Sequence, residues 1–369
     1  MSSVLKISKN AEEGLRELLR FLLEKKRVKA VFTLRKINEN GTVNYSLITD
    51  SDMLEDAVPL FPLMPQNAGK LLSRLTLKEH LSEPIAAVVR PCELRAFIEL
   101  VKRKQGSPEN FVFISTACPG TYPLEMSVNG DIGKKIPEYE EGVKNGNIVS
   151  DIRQVCKACE HFIPYSADMT VALIGKEDID KSCEIFLNTE KAKKLVEGMN
   201  GELIKGELET QEIKNLRSMR QEQRKKLFDE AGVEGLGLSG LVETFGRCIG
   251  CHGCGRVCPI CYCVLCDFES RDYECDPSTY ESELKKRGGV RVPPNTVLYH
   301  LGRLTHVSVS CVGCGMCTDV CPANIPLSTI FLKVGEEVQK LFDYIPGKDV
   351  EEAIPLTKYE KEEFAEVED

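Results

Sequence analysis

Over residues 11–27 (AEEGLRELLRFLLEKKR), Leu15, Leu18, Leu19, Leu22 and Leu23 recur at helical spacing on one face. That stripe, closed by cations, predicts an amphipathic helix. VKAVFTLRKI and TVNYSLITD follow with the apolar run and alternation of strands, and Asn38, Glu39, Asn40 and Gly41 form the turn between them. PLFPLMPQNAGK is a proline-rich loop leading into a helix at about 67–80. IAAVVRPCEL reads as a buried strand stopped by Arg90, Pro91, Cys92 and Glu93, with a helix from Leu94 to Lys104. FVFISTACPG repeats that design and ends at Cys118, Pro119 and Gly120, and ADMTVALIG (167–175) is a further strand ending in glycine.

Strands with loops of this kind at their C-terminal ends predict an α/β sheet whose ligands gather at that edge. Residues 131–150 read as a polar, glycine-rich connection, and 177–245 as helical and charged. Within the latter, ETQEIKNLRSMRQEQRKKLFDE (209–230) predicts an exposed helix whose charge run is a solvated face. The glycines of GVEGLGLSG (232–240) mark a hinge; their spacing is not that of a dinucleotide fingerprint.

Two stretches then change the picture. Cys248-Ile249-Gly250-Cys251-His252-Gly253-Cys254-Gly255-Arg256-Val257-Cys258-Pro259 and Cys311-Val312-Gly313-Cys314-Gly315-Met316-Cys317-Thr318-Asp319-Val320-Cys321-Pro322 both read C-x2-C-x2-C-x3-C-P. This is the run of bacterial two-cluster ferredoxins, in which three closely spaced cysteines hold one cluster and the fourth reaches the other. On that logic Cys248, Cys251, Cys254 and Cys321 hold one 4Fe–4S cluster, and Cys311, Cys314, Cys317 and Cys258 hold a second. Disulfides or structural zinc are the alternatives. Two copies of one spacing, each with its proline, disfavour both.

Composition narrows the class. Seventeen cysteines among 369 residues, with no apolar leader in MSSVLKISKNAEEGL, point to metal in a reducing compartment, which we expect to be an anaerobe's cytoplasm. The chain has no apolar run of membrane-spanning length, so no membrane span is expected. A net charge of −9, with no basic stripe and interleaved aromatics, speaks against nucleic acid as a partner. The acidic C-terminal residues read as a solvated tail.

A third cysteine set is scattered. Cys92, Cys118, Cys156 and Cys159 each fall on a loop next to a predicted strand, so one sheet edge can gather them. Taken alone they are open to three readings: buried thiols, a zinc site, or a C-x2-C redox pair. The run IAAVVRPCELRAFIEL, then ACPG, then CKACEHFIPYSADMTVALIG resembles the β subunits of coenzyme F-420-reducing hydrogenase and F-420-dependent formate dehydrogenase. The resemblance covers roughly residues 15–180, with the ferredoxin module C-terminal to it.

The resemblance implies a third 4Fe–4S cluster on Cys92, Cys118, Cys156 and Cys159 beside an FAD, with coenzyme F-420 as hydride carrier and nicotinamide as the alternative. Through PQNAGK and the RPC loop it also implies flavin contacts at Asn67, Gly69, Lys70 and Arg90. Family members open with a Cys-Gly-Gly-rich element near the flavin; here that position reads Asn10-Ala11-Glu12-Glu13-Gly14.

The expected architecture is α/β, a mixed-sheet flavin domain over 1–180, joined by a helical linker (181–245) to a small α+β two-cluster ferredoxin-like domain (246–340). That domain carries an insertion at 260–310, and 341–369 is the acidic tail. Within the insertion, Cys261, Cys263, Cys266 and Cys275 offer a fourth metal site or simply packing, and Cys183 is expected to be a buried thiol. No catalytic dyad or triad is evident. The expected function is an iron–sulfur flavoprotein electron-transfer subunit serving a formate dehydrogenase, hydrogenase or heterodisulfide-reductase-type partner. The alternative is a flavin-free conducting subunit.

Overall fold

The computed structural model describes residues 2–37, 42–232, 237–270 and 276–357. Eight strands form one mixed sheet: β1 (Ser2–Ile7), β2 (Ala30–Lys36), β3 (Val43–Ile48), β4 (Ile85–Val88), β5 (Phe111–Thr116), β6 (Met169–Ala172), β7 (Cys183–Leu187) and β8 (Glu202–Gly206). Their order is β3-β2-β4-β5-β6-β7-β1-β8. The centre, β2-β4-β5-β6, is parallel; β3 and β7 flank it antiparallel, and β1 runs antiparallel between β7 and β8.

The helices in the first part of the chain are α1 (Ala11–Glu24), α2 (Ala68–Leu75), α3 (Pro91–Lys102), α4 (Leu124–Val128), α5 (Ile132–Lys144), α6 (Gln154–Lys157) and α7 (Glu190–Leu195). The later helices are α8 (Gln211–Ala231), α9 (Gly237–Gly246), α10 (Gly253–Val257), α11 (Pro277–Arg287), α12 (Thr296–Val307), α13 (Met316–Asp319) and α14 (Leu327–Leu341).

Helix α1 starts where Asn10 caps it by accepting from the Glu13 N–H at 2.9 Å. Its leucine stripe (Leu15, Leu18, Leu19 and Leu22, all fully buried) packs on one face of the sheet with Val31, Ile114, Val171 and Ile185. The other face is covered by α2 and α3, where Phe97 meets Phe111 edge-on at 5.5 Å and Phe113 at 5.7 Å. Each such fully buried side chain contributes on the order of 1.5–3 kcal/mol. Cys183 is a buried thiol, as expected. It packs on Gly14, where a Cβ would lie 2.3 Å from the Cβ of Cys183, so α1 approaches β7 only through a glycine.

Several expectations change. The span 177–245 is not all helical: β7 and β8 lie in it and extend the sheet to Gly206. The 131–150 connection holds helix α5 despite Gly133 and the internal Pro137 that disguise it. The cysteine-rich part is helix and loop rather than α+β, with no strand among the described residues beyond Gly206. Its core gathers Phe245, Tyr299, Ile330 and Phe331.

The turn at 38–41, the hinge residues 233–236, Cys275 and the tail from 358 lie outside the described residues. The segment just before that tail folds back onto α3. Buried Glu99 accepts from the Tyr344 hydroxyl at 2.5 Å and from the Gly347 N–H at 2.8 Å. Gly347 sits at φ +70°, where a Cβ would fall 2.1 Å from the Arg95 carbonyl oxygen. No helix among the described residues is long and apolar enough to cross a membrane.

Candidate metal centres

The first cysteine set is built on the loop before α10 and the turn after α13. Cys248, Cys251, Cys254 and Cys321 line one partly open pocket with about 290 Å³ of atom-free space, walled also by His252 and His300. The fourth cysteine thus comes from the other motif. The Gly250 N–H donates to the sulfur of Cys248 at 3.4 Å, and the Ile325 N–H to that of Cys321 at 3.4 Å. Burial pushes the thiols of Cys248 and Cys254 up, while Cys251 is exposed.

In the second set all four cysteines are half-buried. Burial pushes Cys311 up to about 11 and Cys314 up to about 12, and Cys258 is near enough to both to add to the rise. Cys317 is raised by burial first and then by Cys314, Cys258 and Cys311. Cys311 accepts from the Gly313 N–H and Cys314 from the Met316 N–H. Cys258 moves the other way, because the Cys261 thiol donates to it.

The third set converges from three elements. Cys92 opens α3, Cys118 follows β5, and Cys156 and Cys159 lie in and just after α6. Burial raises Cys92, and Cys118, Cys314 and Cys156 each add to it, so this set abuts the second. Burial also takes Cys118 up to about 11 and raises Cys159. Cys118 accepts from the Gly120 N–H and Cys159 from the His161 N–H, the two-residue step already seen at Cys248, Cys311 and Cys314.

Five buried arginines surround this third set: Arg90, Arg95, Arg153, Arg220 and Arg224. Three pair with carboxylates: Arg90 with Glu93 at 3.5 Å, Arg153 with Asp319 at 2.6 Å, and Arg224 with Glu336 at 2.6 Å. Arg95 and Arg220 make no carboxylate ion pair among the described residues. Arg95 rests on the Pro346 carbonyl at 2.8 Å and Arg220 on that of Pro119 at 2.7 Å, and the Nε of Arg220 is buried without a partner. Uncompensated buried cations are costly. An anionic group held by the four thiolates would balance them.

Backbone N–H groups aimed at sulfur, buried thiols and nearby cations together fit thiolate-bound iron–sulfur clusters. Among the described residues no three His, Cys, Asp or Glu side chains group tightly enough to hold a single metal ion. A zinc ion gathers its thiolates at about 2.3 Å from one centre, whereas a four-iron cube binds one thiolate at each of four irons. In the insertion, Cys261 faces Cys258, Cys263 is exposed and Cys266 is half-buried.

At the C-terminal ends of β2, β4, β5 and β6 lies a pocket with about 380 Å³ of atom-free space, walled by Leu34, Val89, Arg90, Cys118, Gly120 and Tyr139. Through Leu60, Pro119, Tyr139 and Leu173 it continues into a wider cleft of about 1440 Å³ reaching Asn10, Glu12 and Lys36. Of the four flavin contacts expected, Arg90 lies here, donating to the Tyr45 hydroxyl at 3.2 Å and the Leu63 carbonyl at 2.8 Å.

The other three contacts lie elsewhere. Asn67 is buried and caps α2 by accepting from the Gly69 N–H at 2.9 Å. Gly69 packs against the α3 backbone. The Lys70 ammonium donates to the carbonyls of Arg256, Cys258 and Cys261 at 2.8, 3.0 and 3.2 Å. Sequence reasoning missed Glu12, Tyr139, Arg153, Arg220 and Arg303. The two last occupy positions where an apolar helix stripe would run, a signal that periodicity assigns to the surface.

No family model matches the chain. It is 29% identical over 369 residues to the F420-dependent formate dehydrogenase subunit beta of Methanocaldococcus jannaschii, covering 90% of each chain. It is 28% identical over 375 residues to F420-dependent formate dehydrogenase 1 subunit beta of Methanococcus maripaludis, again over 90% of each. A chain of the xenon-derivatised F420-reducing [NiFe] hydrogenase complex from Methanosarcina barkeri aligns over 64% of this chain and 94% of its own. Its TM-score of 0.45 and identity of 12% fall below the level at which a shared fold follows. The two matches that run almost end to end make the chain similar, along nearly its whole length, to F420-dependent formate dehydrogenase β subunits.

Proposed function

We propose that this chain is the iron–sulfur electron-transfer subunit of a cytoplasmic redox complex. In this reading Cys248, Cys251, Cys254 and Cys321 hold one 4Fe–4S cluster, Cys258, Cys311, Cys314 and Cys317 a second, and Cys92, Cys118, Cys156 and Cys159 a third. The observation that carries it is adjacency. Cys118 lies in the wall of the sheet-edge pocket, Cys92 of the same set neighbours Cys314 of the second, and that set shares Arg303 with the first. Such a row suits single-electron passage from the pocket to the exposed Cys251.

A flavin, FAD by family, would supply the exchange of an electron pair with a hydride carrier, coenzyme F-420 or nicotinamide. The chain's own part is to exclude water and fix charge. Arg90 sets a cation at the inner pocket wall, and the β4, β5 and β6 ends close it against solvent. A formate dehydrogenase, as in the two relatives named above, or a hydrogenase or heterodisulfide-reductase-type assembly would be the partner that receives or donates the electrons.

The second reading is a flavin-free conducting subunit. It is favoured by Asn67, Gly69 and Lys70, which are committed to a cap, a helix contact and three carbonyls. Iron, sulfide and flavin counts on anaerobically purified protein decide between the two. About twelve irons and one flavin per chain support the first reading, and about twelve with no flavin the second. About eight irons and no flavin sink the third cluster, and about sixteen promote the insertion cysteines to ligands.

A further inference from the structure

The insertion between the two motifs is far longer than a ferredoxin-type module needs, and it supplies α12. This helix is fastened to the first cysteine loop by its aromatic residues: Tyr299 stacks on His252 with ring centroids 4.1 Å apart, and His300 stacks on Phe245 at 4.6 Å. One turn further on, α12 delivers Arg303 into the interior, where the side chain is 4% exposed. Its Nη1 donates to the sulfur of Cys254 at 3.1 Å and its Nη2 to the carbonyl of Cys254 at 3.3 Å. Cys258 and Cys261 face the same guanidinium. The guanidinium lies 4.9 Å from the ring centroid of Phe331 and 5.7 Å from that of Tyr299.

Cys254 lines the cavity of the first set, whereas Cys258 lies with the second. One cation therefore stands between the two sets. Among the described residues it makes no ion pair with a carboxylate, and the rings over it screen it from water. The nearby His300 adds no second cation, since burial holds it neutral with its titration lowered to about 3. A buried guanidinium without a counter-ion is a strongly unfavourable arrangement, and negatively charged thiolate-bound clusters on both sides remove that cost.

We propose that Arg303 is a charge-setting residue shared by the two ferredoxin-type clusters, its fixed cation raising the reduction potentials of both. The proposal rests on the cluster reading above. Its physics is that reduction adds negative charge to a cluster, and a nearby cation in a low-dielectric interior stabilises the more negative state. Because one guanidinium bonds to Cys254 of the first set and faces Cys258 of the second, it moves the two potentials together and leaves the step between them unchanged. The insertion is then the arm that carries this charge.

The test uses the anaerobically purified full chain, with an iron count and a potentiometric titration followed by electron paramagnetic resonance. Arg303→Gln keeps a hydrogen-bonding side chain and removes the charge. The expected result is unchanged iron with the midpoint potentials of both ferredoxin-type clusters shifted lower, and Arg303→Lys restoring most of the shift. Unchanged iron with unchanged midpoints in Arg303→Gln overturns the proposal.

If Arg303→Gln sheds iron, Arg303→Lys decides. Native iron with midpoints close to those of the native protein supports the charge. Iron lost from both variants, or midpoints lowered in the lysine variant too, assigns Arg303 a purely structural role and overturns the proposal. A native chain carrying fewer than about eight irons would sink the cluster reading itself before any variant is made.

Discussion

Arg153 donates from Nε to Oδ2 of Asp319 at 2.8 Å, and its Nη2 lies 2.6 Å from the same oxygen, with the two side chains only 3% and 4% exposed. Arg153 stands just ahead of α6 and Asp319 between Cys317 and Cys321, so this pair ties the third cysteine set to the second motif. The same carboxylate accepts from the Leu124 N–H at 3.0 Å, and Arg153 also donates to the Cys314 carbonyl at 3.2 Å.

Removing one partner of such a pair leaves a buried charge uncompensated. Asp319→Ala is expected to cost roughly 3–5 kcal/mol. Anaerobic denaturant unfolding, followed together with iron release, checks this. A midpoint unchanged from wild type would mean that water reaches the site in solution.

Glu12 gives a pH dependence. Burial takes its carboxyl from an ordinary value of 4.5 up to about 7, despite the Leu60 N–H that donates to one oxygen at 3.1 Å. The folded state therefore holds the proton more tightly than the unfolded chain. The stability this contributes is fully present below about pH 4.5 and is lost as pH rises through about 7, a change on the order of 3 kcal/mol. Unfolding free energies of wild type and Glu12→Gln across pH 5 to 8 should converge at the acid end and separate toward pH 8, with the glutamine variant the more stable. Parallel curves would show that Glu12 is ionised in the fold throughout.

Lys70 holds the turn after α10 through three carbonyls. Lys70→Met keeps the apolar stem and removes all three donors. Each lost bond to a charged donor is worth roughly 1.5–3 kcal/mol before relaxation. We expect iron near Cys258 to be released faster to a chelator at unchanged overall fold, read by absorbance decay and far-ultraviolet circular dichroism. Equal release rates would reduce Lys70 to a surface contact.

For the third set, Cys156→Ser is expected to lower the iron count by about four per chain and leave the two ferredoxin-type signals intact. Cys183→Ala serves as the comparison. That thiol is fully buried against Gly14, with Glu184 and Glu12 rather than any other cysteine as its charged neighbours, so its loss should leave iron unchanged. Unaltered iron in Cys156→Ser would remove Cys156 from the ligands.

Much of this was readable from residue order. The leucine stripe of α1 and the apolar runs of β2, β4, β5 and β6 announce their elements because the helix buries one stripe in a continuous core and the central strands are buried on both faces. The short strands β7 (CEIFL) and β8 (ELIKG) do not, because charged residues interrupt them and pairing with β1, and for β7 also with β6, defines them. Helix α8 was legible as a helix but not as a wall of the site. Arg220 and Arg224 look like solvent-facing residues in any local window, yet their partners are the carbonyls of Cys118, Pro119 and Ala158, far away in the chain. The spacing of the cysteines carried the grouping of the two motifs. The cations around them were hidden, because a buried guanidinium owes its place to long-range contacts that leave no periodic trace.

The cavity that gathers Cys248, Cys251 and Cys254 also takes Cys321, and this sets an order on how the protein matures. During synthesis the three N-terminal cysteines emerge long before the fourth, with the whole insertion still to be made. Until Cys321 arrives, the pocket lacks one wall and its thiols stand open to oxygen and to stray metals. A chain stalled or truncated within the insertion would therefore display three of these four cysteines without the wall that Cys321 supplies.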